Sequence, residues 1–131
     1  MVDAATWVTP SVSVVIPVYN CAPYLRRCLD SVVAQSNSSW EIISVDDGST
    51  DGSVAILREY EGKLSGKMRV IEQENVGPAK ARNRAIDVAT GKYLAFLDAD
   101  DFLDPRCFEL ALEQAEKLNA QIVVWDIWFF N

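Results

Sequence analysis

Within "YLAFLDADDFLDP" (93–105), three carboxylates, Asp98, Asp100 and Asp101, fall within four positions directly after an apolar run. Gathering them there is unfavourable: at an effective dielectric near 20 and ~6 Å, each like-charged pair costs on the order of 3 kcal/mol. A divalent cation is the natural compensation. Residues i and i+2 of a strand share a face, so Asp98 and Asp100, on either side of Ala99, can point the same way. Two carboxylates are too few for an all-protein calcium cage. They suit Mg²⁺ or Mn²⁺, which keep waters and take remaining ligands from substrate phosphates. Asp104 instead reads, with Pro105, as the start of the next helix.

Two further segments carry candidate chemistry. In "IISVDDGSTDGS" (42–53), Asp46 and Asp47 open a stretch of turn chemistry; either they serve the turn or they accept N–H groups of a base or ribose hydroxyls. Ser49, Thr50 and Asp51 are candidate helix caps. In "NVGPAKARN" (75–83), Gly77, Lys80, Arg82 and Asn83 lie at a helix start, where free N–H groups and the positive dipole end favour a diphosphate. A solvated basic face is the other reading for Lys80. Tyr19, in "PVYN" (17–20), either stacks on a base or packs.

The elements that must position these residues alternate. The continuous apolar run at 12–18 reads as a strand buried on both faces, and 40–46, 67–73 (with looser alternation) and 92–98 read as further strands. Between them, helical periodicity covers about 23–35, 52–62 and the stretch after Gly77-Pro78, which Gly91 closes as a C′ residue. A fourth helix follows to Leu118, its inner face Phe108, Ala111, Leu112, Ala115 and Leu118. "QIVVWDIWFFN" (121–131) starts a fifth strand. This β-α alternation predicts one α/β domain over residues 1–131, with a mostly parallel sheet and helices on both faces. Ligands of such sheets bind outside the carboxyl ends of the strands, where "PVYN", "DDGSTD", "NVGPAKARN" and "DADD" converge.

Composition narrows the chemistry. The net charge of −7 argues against a nucleic-acid partner. Histidine is absent, which removes Ser-His-Asp and Cys-His pairs and most zinc sites. Three cysteines without a CxxC read as small buried hydrophobes. There is no GxGxxG and no GxxxxGK[ST], against dinucleotide-dependent dehydrogenases and P-loop NTPases. The N-terminus lacks the features of a signal peptide and no run reaches membrane-span length, so a cytoplasmic protein is expected, with docking at the inner membrane face left open.

"VSVVIPVYN", "SVVAQS", "IISVDDGSTDGS" and "NVGPAKARNRAIDVATGKYLAFLDADD", followed by "LDP", together resemble the family-2 glycosyltransferases of the GT-A fold, over roughly residues 11–118. The resemblance implies a Rossmann-like domain. In it Pro17, Val18 and Tyr19 line a base pocket, and Asp47 with Asp46 recognises uracil or ribose. Gly77, Arg82 and Asn83 lie near the nucleotide's sugar and phosphates, and Asp98-Ala99-Asp100 is the metal-binding DxD, with Asp101 behind it. The implied activity is inverting transfer from a nucleotide-sugar, a UDP-sugar by preference, to a hydroxyl of a saccharide or lipid-linked acceptor, aided by Mn²⁺ or Mg²⁺. In relatives the catalytic base lies in a later acidic motif that nothing in 119–131 matches. The chain is therefore expected to be a truncated nucleotide-sugar half, with the base beyond Asn131. The alternatives are a non-catalytic nucleotide-binding domain of the same fold and a sugar-phosphate nucleotidyltransferase. The latter lacks its glycine-rich loop after the first strand.

Overall fold

The structure, a computed structural model, describes residues 9–124. Four strands alternate with four helices: β1 (Val12–Val18), α1 (Ala22–Val33), β2 (Trp40–Asp46), α2 (Ser53–Lys63), β3 (Met68–Glu72), α3 (Pro78–Val88), β4 (Tyr93–Phe96) and α4 (Cys107–Leu118). The strands form one sheet in the order β3-β2-β1-β4, and every pairing is parallel. The expected α/β architecture is therefore present. Among the described residues no helix is long and apolar enough to cross a membrane.

Alternation along β1 builds two cores. Val14, Ile16 and Val18 face α1, α2 and α4 and pack with Leu25, Leu29, Leu57 and Phe108. Val15 faces the other way and joins Ile43, Val45, Ala81 and Ala85 beneath α3. The alanines let α3 lie close on the sheet. Leu118, placed by periodicity on the inner face of α4, is instead exposed at its end, as is Val33 at the end of α1. Helix ends run past the sheet they cover.

Three boundaries differ from the sequence reading. β4 ends at Phe96 rather than at Asp98, although Leu97 N–H still bonds to Val15 C=O at 3.0 Å. Gly91 is not a helix C′ residue: α3 stops at Val88, capped by an extended Ala89. Gly91 instead enters β4 pressed against β1, where a Cβ would lie 2.6 Å from Ser13 N. Its N–H donates to Ser13 Oγ at 2.7 Å. Close approach, not a left-handed turn, requires glycine here. Of the fifth strand, 121–124 form no strand and 125–131 lie outside the described residues.

Pro17 helps to open the crevice described next. Even-numbered residues of β1 bond toward β2 (Asp47 N–H to Val18 C=O, 2.8 Å), while odd-numbered ones bond toward β4. The β1–β4 pairing stops at Val15↔Phe96. The N–H that Pro17 lacks would be the next donor toward β4, so the proline ends the ladder on that side and leaves the strand tips free to part.

Candidate active site

Strand order reverses between β1 and β4: the chain moves from β1 to β2 and β3 on one side, then crosses to β4 on the other. The crevice outside the strand ends at such a reversal is where open α/β sheets bind ligands. Here it is a cavity of about 350 Å³ lined by residues of all the converging segments. Pro17, Val18, Tyr19, Asp47, Gly77, Arg82, Asp98, Ala99 and Asp100, all expected at the site, line it.

Asp46, Lys80 and Asn83, also expected there, are not among its lining residues. Asp46 is buried and turned into its own turn, where Oδ2 accepts Ser49 N–H at 3.0 Å. Lys80 and Asn83 are exposed on α3. Arg82 shares a helix face with Pro78, four residues earlier, whereas Lys80 and Asn83 lie about 200° and 100° around from it. Cys21, Asn75 and Pro78 complete the lining without having been anticipated. For Pro78 the signal was available, since it stands one helical turn before Arg82.

Asp47 is only 4% exposed. Its Oδ1 accepts Val76 N–H at 2.8 Å and Gln73 Nε2–H at 3.0 Å, and its Oδ2 accepts Gly77 N–H at 3.0 Å. Burial alone would raise this carboxyl, but the three donors outweigh it and hold it below its ordinary range. Gly77, at φ +100°, supplies the backbone twist that turns its N–H inward. Asp47 thus stands as the anion at the entry to α3, using donors expected to meet a diphosphate. It also ties the 73–77 loop to the end of β2.

The stretch after Asp47 stitches a second wall. Asn20, in a left-handed conformation (φ 49°), accepts Thr50 N–H on Oδ1 at 2.8 Å. Its own N–H donates to Ser49 Oγ at 2.9 Å. Cys21 N–H donates to Ser53 Oγ at 3.1 Å. Asp51 serves both helices, its Oδ1 accepting Ser53 N–H (2.9 Å) at α2 and its Oδ2 accepting Ala22 N–H (3.1 Å) at α1. These bonds fix the loop that carries Tyr19, which is half-exposed at the cavity.

The acidic lip is built by a turn. Asp101 N–H donates to Asp98 C=O at 3.0 Å, so Asp98 and Asp100 converge through a chain reversal and not through the strand pleat that the sequence suggested. Carboxylate oxygens of Asp98, Asp100 and Asp101 all lie within 4.8 Å of one another. Asp101 is raised, first by burial and then by the charges of Asp100 and Asp98. Clustered hard-oxygen donors facing a crevice fit Mg²⁺ or Mn²⁺ by their chemistry. Arg82 Nη2 lies 3.4 Å from Asp98 Oδ1.

The turn is also braced from behind. Cys28 Sγ–H donates to Asp98 C=O at 3.6 Å, and burial pushes that thiol up to about 12, so it stays protonated. Gln35, buried under the exit of the turn, donates Nε2–H to Asp104 C=O at 2.7 Å and accepts Phe108 N–H on Oε1 at 2.9 Å. Asp104 itself accepts Arg106 N–H at 2.9 Å, and α4 begins two residues beyond Pro105.

A parallel sheet with an acid-lipped crevice at its strand-order reversal belongs to the class of Rossmann-like ligand-binding domains. Residues 13–131 match Glycosyl transferase family 2, and the chain belongs to that family. It is 37% identical over 124 residues to Glycosyltransferase GlyA of Streptococcus pneumoniae, covering 95% of this chain and 18% of that protein. Its fold is the GT-A fold. It superposes on S. aureus TarS 1–349 in complex with UDP-GlcNAc with a TM-score of 0.75 and 32% identity, over 82% of this chain and 31% of that one. Against the mannosyltransferase PcManGT from Pyrobaculum calidifontis, in complex with GDP-Man and Mn²⁺, the TM-score is 0.71 at 31% identity, over 82% and 33%. The chain therefore spans about a fifth to a third of the length of these proteins.

Proposed function

We propose that this chain binds the nucleoside diphosphate of a nucleotide-sugar, with a divalent metal at Asp98 and Asp100, for glycosyl transfer to an acceptor hydroxyl. The observation that carries it is the convergence of Asp98, Asp100 and Arg82 on the switch-point crevice, with Asp101 clustered beside the two aspartates. When bound, the Mn²⁺ or Mg²⁺ ion would offset the negative charge developing on the departing diphosphate.

The chain's own residues supply the rest. Pro17, Val18 and Tyr19 offer an apolar and aromatic surface to the base. Arg82 is the basic side chain placed to meet phosphate oxygens. Asp47 keeps the 73–77 wall closed over the base side of the crevice. The carboxylates lining the crevice are poor candidates for the base that deprotonates an acceptor: Asp47 is engaged by three donors, and Asp98 and Asp100 are the metal pair. Among the described residues, the crevice is thus read as a donor-binding site rather than as the source of the base. Inversion by single displacement is the stereochemistry that the family resemblance supports. TarS was solved with UDP-GlcNAc and PcManGT with GDP-Man, so uridine and guanosine donors are the first to try.

Calorimetric titration with UDP, GDP, ADP and NAD, each with and without Mn²⁺, tests the proposal. Metal-dependent binding of UDP or GDP that disappears in Asp100→Ala is expected. Equal affinity with and without metal would count against it.

A further inference from the structure

We propose that Arg82 holds the place of the metal at Asp98, pairing with its carboxylate until a metal–nucleotide diphosphate arrives and then turning to the phosphates. This handover rests on the metal–diphosphate reading above. Arg82 is the one basic side chain among the described residues lining the crevice. Its Nη2 sits 3.4 Å from Asp98 Oδ1, and the two side chains are 39% and 60% exposed. A long, half-exposed pair of this kind is held loosely, so its partners can separate.

The charges explain the direction of exchange. Three carboxylates with oxygens within 4.8 Å of one another meet the guanidinium of Arg82 at Asp98 and feel the charge of Arg27 at Asp101, which leaves the cluster net negative. A divalent ion can take oxygens of several of these carboxylates at once, which one guanidinium paired to Asp98 does not. With the ion alone in place, Arg82 competes for Asp98 and repels the ion. With a diphosphate present, the guanidinium gains phosphate oxygens, and its charge now favours the complex. Arg82 therefore opposes free metal and supports metal plus nucleotide. Such a residue makes the two ligands bind cooperatively, each raising the other's affinity by the same factor.

The test is a pair of affinities on the 131-residue chain. Free Mn²⁺ is followed by electron paramagnetic resonance, and UDP or GDP binding at saturating Mn²⁺ is followed by calorimetry. Wild type, Arg82→Gln, Arg82→Lys, Asp98→Asn and the Arg82→Gln/Asp98→Asn double variant are compared. Arg82→Gln is expected to tighten Mn²⁺ alone by about three- to tenfold and to weaken the nucleotide by about tenfold. Arg82→Lys keeps the charge and is expected to leave Mn²⁺ affinity near wild type while weakening the nucleotide. In the Asp98→Asn background the gain in Mn²⁺ affinity is expected to shrink to the part that charge repulsion alone supplies. A loss of Mn²⁺ affinity in Arg82→Gln with unchanged far-ultraviolet circular dichroism overturns the handover, as does an equal gain in the Asp98→Asn background. Should Arg82→Gln misfold, weaker Mn²⁺ binding by Arg82→Lys than by wild type overturns it. In each of these cases metal-dependent nucleotide binding by wild type would leave the parent reading standing. Absence of that binding in wild type overturns both.

Discussion

Replacing Asp47 by Asn removes charge while keeping shape, and the structure sets the size of the effect. The amide retains one acceptor oxygen, best kept where Oδ1 now receives both Val76 N–H and Gln73 Nε2–H. Its NH₂ then faces Gly77 N–H, 3.0 Å away in the wild type, with donor against donor. Losing one charge-assisted bond costs about 1.5–3 kcal/mol. The two retained bonds become neutral, at roughly half strength, for about 1 kcal/mol more. A total of about 2.5–4 kcal/mol is expected in urea unfolding, with faster hydrogen exchange at the Gly77 amide. The pH dependence follows from the same bonds. Asp47 lies below its ordinary 3.8 in the folded chain, so its contribution is complete above that value and is lost as pH falls through the folded one. Asp47→Asn should therefore lose less stability on acidification below about pH 4 than the wild type does. A destabilisation under about 0.5 kcal/mol with unchanged Gly77 exchange would refute the clamp.

Two other positions are open to the same kind of test. Asp51→Ala removes the acceptor of both Ser53 N–H and Ala22 N–H, and about 1–3 kcal/mol of stability should go with it in urea unfolding, since one cap alone is worth about 1. Its depressed carboxyl, held down chiefly by Ser53, should make that difference shrink below the ordinary value of 3.8. Gly91→Ala drives a Cβ to 2.6 Å from Ser13 N and 2.9 Å from Val12 C, both backbone atoms, so about 2–4 kcal/mol is expected. A near-neutral effect in thermal unfolding would mean that β4 is not pressed on β1 as described.

How far the sequence could be read depended on the range of the interaction. Strands and helices were legible because apolar runs and 3.6-residue stripes are local patterns; Val14, Val15 and Ile16 alone show both faces of β1 buried. The crevice was legible because strand ends in a parallel sheet share one rim. What lay beyond reach joins residues far apart in the chain. Asp47 looked like a turn residue or a base-recognising acid, and nothing near it in sequence announces Val76 and Gly77. Gly91 looked like a helix terminator because a C′ glycine and a close-packing glycine are the same letter. Asp98 and Asp100 were expected to converge along a strand pleat, and they converge through a turn. Ala81 and Ala85 were legible as the core face of α3, though Ile86, expected beside them, is exposed; carried one step further, that phase separates Arg82 from Lys80 and Asn83.

The central claim is a metal held at the lip of the β1–β4 crevice together with a nucleoside diphosphate. Paramagnetic broadening by Mn²⁺ of the assigned backbone amide signals, with UDP or GDP present, tests it most directly. Broadening should be strongest at 97–101 and next strongest at Tyr19 and Gly77, and weak at Ser13 and Gly91 across the sheet. It should be displaced by excess Mg²⁺ and lost in Asp100→Ala. Broadening centred on the acidic face of α4 around Glu113 and Glu116, or unaffected by Asp100→Ala, would contradict it.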